Sequence, residues 1–176
     1  LSRASLIRAN LSNSNLQSAN GYQAILNDAN LSGSDLSGAS FSQGALNRAD
    51  LSGVVAPNAN LENIEARASN WYRSDLEYSH LEGANLSEAS LTEAKLTGAV
   101  LANAELYRAD LIGAQLEEAD LSGTSLREAL IRNANLTNTN LRNADLRGAN
   151  LALTDITQAQ FCNTRMANGD INNADC

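Results

Sequence analysis

The sequence predicts an all-β solenoid: a parallel β-helix of four-sided coils in which each edge is five residues long. Three observations predict it. Every fifth residue from Leu1 to Cys176 belongs to one series of 36 positions, of which 25 are Leu. The residue two places before each of these centres is small, being Ala in 22 of 35 cases. Charged residues prefer opposite signs at a spacing of twenty, and not at fifteen or twenty-five.

Composition supports a repeat array over an ordinary globular domain. The 176 residues include 27 Leu and 29 Ala but only 2 Phe, 1 Met and 1 Pro, so Leu does nearly all the filling that a mixed core would share among several residue types. No run approaches the length of a membrane span and no charged-then-apolar leader opens the chain, so no membrane contact is expected. Twelve Lys plus Arg against 20 Asp plus Glu give a net charge of -8, which argues against nucleic-acid binding through a basic surface. Such an acid surface suits a basic protein partner, or simply solubility.

The edge follows from the period. In an α-helix, steps of five turn successive centres by about 140° and scatter Leu over every side, leaving no core face. In a strand, side chains alternate, so Ala (in), Asn or Asp (out), Leu (in) and a polar residue (out) form a strand-like run. The fifth residue is also polar and outward. Two successive outward residues reset the alternation by turning the chain, and each five is one short edge plus one corner.

The coil follows from the charges. Stacked neighbours should carry opposite signs more often than like signs. Spacing twenty gives seven opposite and three like pairs, fifteen gives five and seven, and twenty-five gives three and five. The column Arg8, Asp28, Arg48, Ala68, Glu88, Arg108, Glu128 alternates rung by rung. Size compensation agrees: Gly21 is expected under Phe41, and Gly44 under Ile64. Within single edges Val54 precedes Ala56 and Ile64 precedes Ala66, which keeps the enclosed volume roughly constant. Nearly nine coils then stack into a rod about 40 Å long at the strand spacing.

The runs Ala84-Asn85-Leu86, Ala109-Asp110-Leu111 and Ala144-Asp145-Leu146 follow an A(N/D)LXX pattern that resembles the pentapeptide repeat family over the whole chain. The resemblance implies a right-handed quadrilateral parallel β-helix of about nine coils, each of four five-residue edges. The tail from Phe161 to Cys176 is similar to those of cyanobacterial members. The family has no common chemistry. Some members mimic duplex DNA in shape and charge and bind DNA gyrase, protecting it from quinolones, and others interfere with cyanobacterial signalling. This chain departs from the gyrase-binding group in having no long loop between fives and no C-terminal dimerisation helix.

No catalytic constellation is legible, so no enzyme, cofactor or metal centre is expected. The single histidine, His80, occupies an outward site with no partner forced on it by spacing, and no Walker loop, GxGxxG element or HExxH helix occurs. Cys162, outward, and Cys176, inward, lie 14 residues apart; they either close a C-terminal cap over 162–176 as a disulfide or remain free thiols. Residues 1–176 read as one array. The irregular stretch 54–71 keeps phase, and is either a seam between two arrays or a tolerated bulge. Pro57 lacks a backbone donor, so a local ladder defect is expected there.

Sorting residues by position modulo twenty turns net charge into a surface. The side centred on Leu16, Leu36, Ala56 and Leu76 carries Asp35, Asp75, Glu77, Glu117, Glu118, Asp155 and Asp175 against Lys95 alone, and the first six are the candidate acidic contact face. The expected function is a non-enzymatic scaffold that presents this side to a protein partner; a DNA mimic that binds a topoisomerase such as gyrase is the alternative. Outward Tyr72, Ile112, Leu130 and Leu153 share the side centred on Leu11 and are candidates for side-to-side self-association. Leu1 starts directly in register, which leaves that end open to end-to-end stacking. A cytoplasmic location is the first expectation, with a lumen or periplasm if a leader has been removed.

Overall fold

A computed structural model describes residues 1–176. Isolated parallel β-bridges link each residue of the series Ser5, Asn10, Asn15 to the residue twenty places on, without interruption from Ser5↔Ile25 to Asp145↔Arg165. One coil therefore takes twenty residues and four corners. No helix of the chain is long and apolar enough to cross a membrane.

Each corner is a turn closed by a backbone bond from the third residue after a centre to the centre itself, as from Ser79 N to Leu76 O at 3.1 Å. The second residue after the centre takes a positive φ, 56° at both Arg48 and Tyr78 and 65° at Gly33. That combination marks a type II turn. Non-glycine residues there bear a local conformational cost of roughly 1–2 kcal/mol each, and the ladder offsets it. In the five from Leu76, four amides have backbone partners: Leu76 N to Lys95 O (2.8 Å), Tyr78 N to Thr97 O (3.0 Å), Ser79 N to Leu76 O, and His80 N to Ala59 O (2.9 Å).

The remaining amide, one past the centre, explains why Asn and Asp precede the Leu. The side-chain oxygen of that Asn or Asp accepts the orphan N–H across the corner, as Asn30 does from Ser32 (2.9 Å), Asp110 from Ile112 (3.0 Å) and Asn135 from Thr137 (3.0 Å). These are Asx turns. Where the position before the centre is Ala45 or Glu65, an Asn ladder from the coil below takes over: Asn27 Oδ1 accepts Asn47 N, and Asn47 Oδ1 accepts Arg67 N, both at 2.9 Å.

The inward residues form one apolar column of 46 buried side chains from Ala24 to Phe161. Gly21 does lie against Phe41: a Cβ there would fall inside contact distance of the ring, with Cγ at 2.9 Å. Gly44 differs from expectation. Its nearest neighbours are the backbone oxygens of Phe41 (2.8 Å) and Ala24 (3.3 Å), so close backbone approach, and not Ile64, excludes a side chain. The buried small-site hydroxyls of Ser34, Ser69, Ser79 and Thr124 are tied to their own turn carbonyl, as Ser79 Oγ is to Leu76 O at 2.7 Å, whereas Thr139 and Thr164 reach the centre carbonyl one coil earlier and Ser74 Oγ has no partner. Ser69 also accepts the indole N–H of Trp71 at 2.7 Å.

The expected defect at Pro57 is absent. Its neighbours donate normally, Ala56 N to Asp75 O at 2.7 Å and Asn58 N to Glu77 O at 3.0 Å, and the Pro57 carbonyl accepts from Gly38 N at 3.0 Å. Proline occupies the one corner position whose N–H makes no ladder bond, and the residue two before it, Val55, has no side-chain acceptor. Val54, Ala56, Ile64, Ala66 and Trp71 are all fully buried, and the bridges pass through 54–71 unbroken.

The β-bridges end at Arg165, and after Ala167, whose carbonyl still accepts Gly148 N at 2.9 Å, the chain leaves the coil. Strands β1 (Thr164–Arg165) and β2 (Ile171–Asn172) pair antiparallel, Thr164 with Asn172 and Arg165 with Ile171. The returning segment supplies acceptors where a next coil would have done so. Asp175 Oδ2 takes Phe161 N, Asn173 Oδ1 takes Asn163 N, both at 2.8 Å, and Asp170 O takes Met166 N at 2.7 Å. Consequently the two last centres are not inward: Ile171 is 51 % exposed and Cys176, expected inside, is exposed. The fold-back, and not the five-residue count, sets their environment.

Candidate functional site

The twenty-residue bridges place Asp35, Asp75 and Asp155 in one column and Glu77 and Glu117 in the next, with Glu118 beside them, all on one side of the rod. Lys95 lies in the aspartate column, bridged through its backbone to Asp75, and forms no ion pair. Glu118, Asp155 and Lys95 are exposed; Asp35, Asp75, Glu77 and Glu117 are half-buried at the base of the corners.

These carboxylates divide by what they hold. Asp35 accepts from Ser37 N (2.9 Å), Ser37 Oγ (2.5 Å) and Gln17 Nε2 (2.5 Å). Asp155 accepts from Thr157 N (2.9 Å) and Oγ1 (2.7 Å), and Asp75 from Glu77 N (3.2 Å). Hydrogen bonds from the Ser37 hydroxyl, then its amide, and from Gln17 hold the Asp35 carboxyl below its ordinary pKa. The Thr157 amide and hydroxyl do the same for Asp155. Glu117 is engaged by Asn135 Nδ2 and, at 3.5 Å, by Thr97 Oγ1. Glu77 and Glu118 make no side-chain hydrogen bond, so two carboxylates stand free between others that clamp their turns.

On the opposite side of the coil, centred on Leu6, the opposite-charge columns are partly joined. Asp28–Arg48 and Arg108–Glu128 pair at 2.7 Å, as do Arg73–Glu93 on the side centred on Leu11. Arg67 reaches across to Glu88 at 3.2 Å. Arg73 and Arg108 also lie over the rings of Tyr72 and Tyr107, 4.9 and 5.0 Å from the centroids. Such solvent-exposed pairs are screened by water and salt and serve register more than stability.

Two further groups complete the surface. The sulfurs of Cys162 and Cys176 are bonded, with Cα atoms 4.9 Å apart, and tie the returning tail to the last coil. His80, expected without a partner, sits 3.1 Å from Glu82 Oε1, with Glu62 beside them. The spacing of twenty would have found Glu62 under Glu82 as a like-charge stack. Of the apolar candidates, Leu153 is 81 % exposed, Leu130 and Tyr72 less so, and Ile112 is half-buried.

A four-cornered parallel solenoid with Asn/Asp-capped corners defines a class, and sequence comparison agrees. The pentapeptide repeats profile matches in eight copies over residues 4–43, 34–70, 69–106, 84–123, 104–148 and 129–168, and the chain belongs to that family. Among solved structures it is similar to a pentapeptide repeat protein of the Arabidopsis thaliana thylakoid lumen, 36% identical over 49% of this chain and 61% of that one (TM-score 0.48). It is also similar to HetL of the cyanobacterium Nostoc sp., a protein involved in heterocyst differentiation regulation, 30% identical over 98% of this chain and 89% of that one (TM-score 0.37). Trypsin-treated QnrB1, a plasmid-mediated fluoroquinolone resistance protein, is 23% identical over 87% of each chain (TM-score 0.50), a likeness of fold alone. No curated protein matches the chain significantly.

Proposed function

We propose that the chain is a non-enzymatic scaffold whose acidic side docks a basic protein surface. The observation that carries it is the register: coils of twenty bring Asp35, Asp75, Glu77, Glu117, Glu118 and Asp155 to one side with Lys95 as the sole cation. A one-sign surface of this kind steers association and raises on-rates. In this reading residues 1–176 form one right-handed array of about nine coils with 162–176 as its cap. The Cys162–Cys176 bond suits an oxidising compartment such as a lumen or periplasm.

The test neutralises Asp75, Glu77, Glu117 and Glu118 to Asn or Gln. The Asp75→Asn amide oxygen keeps the corner bond, as Asn135 does at its own corner. Proteins captured from the native host at low salt by the wild type, and lost by the variant, are the expected result; an unchanged set removes the acidic side from the account. The same side supports a second reading, a duplex-DNA mimic that engages a topoisomerase. Inhibition of gyrase supercoiling by the wild type and not by the variant is its signature, and no inhibition at saturating protein disposes of it.

A further inference from the structure

Glu62, His80 and Glu82 lie on the side centred on Leu61 and Leu81, away from the acidic face. One ligand atom from each stands within 4.8 Å of the other two. Their placement is fixed by the ladder: Asn60 bridges His80, Leu61 N donates to His80 O (2.7 Å), and Asn63 N donates to Glu82 O (2.9 Å). His80 and Glu82 flank the buried Leu81 and so point outward together, while Glu62 rises from the coil below.

The arrangement is costly as it stands. Glu62 and Glu82 stack as like charges, and none of the Lys or Arg ion pairs reaches either one. Glu82 Oε2 is shut off from solvent and has no hydrogen-bond partner, although carboxylate oxygens lacking solvent normally find one. His80 also stands where most corners have a capping Asn or Asp; its ring nitrogen faces Glu82 Oε1 at 3.1 Å instead of capping the turn. A cation placed among the three groups would relieve the repulsion and satisfy the orphan oxygen at once.

We propose that Glu62, His80 and Glu82 form a site for a zinc-like divalent transition cation that staples two adjacent coils. Imidazole nitrogen selects Zn²⁺, Ni²⁺ or Cu²⁺ over Mg²⁺ and Ca²⁺, which prefer sets of oxygens alone. Zinc bonds of about 2.0–2.2 Å place tetrahedral ligand atoms roughly 3.4 Å apart, a separation that the half-buried Glu62 and Glu82 and the exposed His80 reach by small side-chain rotations on fixed backbones. Water fills the fourth position.

The test is calorimetric titration of the full chain with zinc chloride, in the presence and absence of excess magnesium. His80 is the only histidine and both cysteines are bonded to each other, so competing ligands are few. One zinc per chain is expected, undisturbed by magnesium, with affinity reduced at least about tenfold in His80→Ala and in Glu82→Gln. The His80 ring resonances should shift with the first equivalent, and neither variant should melt below the wild type when zinc is absent, Glu82→Gln being relieved of the repulsion from Glu62. No measurable uptake, uptake that survives His80→Ala, or displacement by magnesium would each overturn the proposal.

Discussion

Replacing Gly21 by Ala isolates the packing claim from every other term. The added Cβ would overlap the Phe41 ring, and Phe41 is fully buried, so the ring has no free space to enter. Gly21 is not among the residues with positive φ, so the backbone accepts Ala without strain, and the unfolded chain loses entropy worth about 0.4–1 kcal/mol in the variant's favour. Overpacking costs about 1–3 kcal/mol, so a net loss between roughly 0 and 2.6 kcal/mol is expected. Phe41→Leu alone should cost roughly 1–2 kcal/mol through the space it leaves. In that background the Ala methyl occupies the vacated volume, and Gly21→Ala should become neutral or stabilising. The pair therefore couples by about 1–3 kcal/mol. Urea denaturation followed by far-UV circular dichroism, with matched slopes across the cycle, measures it. Additive losses across the cycle would refute the stacking of position 21 against position 41.

Other consequences are as direct. Pro57→Ala should cost no more than about 1 kcal/mol, whereas Asn58→Pro should cost about 3 kcal/mol or more, because Asn58 has a φ of 55° and donates to Glu77 O; the two denaturation midpoints separate these cases. Alkylation without reductant should modify neither cysteine, and reduction should loosen residues 161–176, with a loss of about 3 kcal/mol for a loop of this length; two thiols titrated in the native protein would contradict the bond. Asp35 and Asp155 have folded pKa values below their unfolded ones, so their stabilising contribution is present above the unfolded value, about 3.9, and is lost as pH falls through the folded values. Carboxyl carbon shifts should show both titrating below the model-peptide midpoint, and a midpoint at or above it would exclude the corner hydrogen bonds in solution.

The parts of this molecule that repeat were legible in its sequence. A period of five with Leu and Ala at fixed offsets assigns inside and outside, and sign alternation at twenty assigns the coil, because both reflect contacts made many times over. Gly21 with Phe41 was legible for the same reason, as a local departure compensated one coil away. What escaped depends on hydrogen bonds that residue volume and charge do not encode. By polarity alone the Asn and Asp before a centre are outward residues and no more, yet they cap the amide that the ladder leaves over. The same unread rule led to the mistaken expectation at Pro57. The tail escaped because Ile171 and Cys176 keep the five-residue count after the backbone has stopped obeying it. His80 has no partner within its own five, and its neighbours become legible only through the like-charge stack of Glu62 and Glu82 at spacing twenty.

The acidic side exists only if the twenty-residue coil holds over its full length. Spin labels at Gln17 and Glu117, in a chain with both cysteines replaced by Ser, test this over a hundred residues of one column. Five coils at the strand spacing predict a narrow distance distribution centred on about 24 Å. A distribution centred near about 32 Å, as a fifteen-residue coil would give, or near about 19 Å, as a twenty-five-residue coil would give, would contradict it.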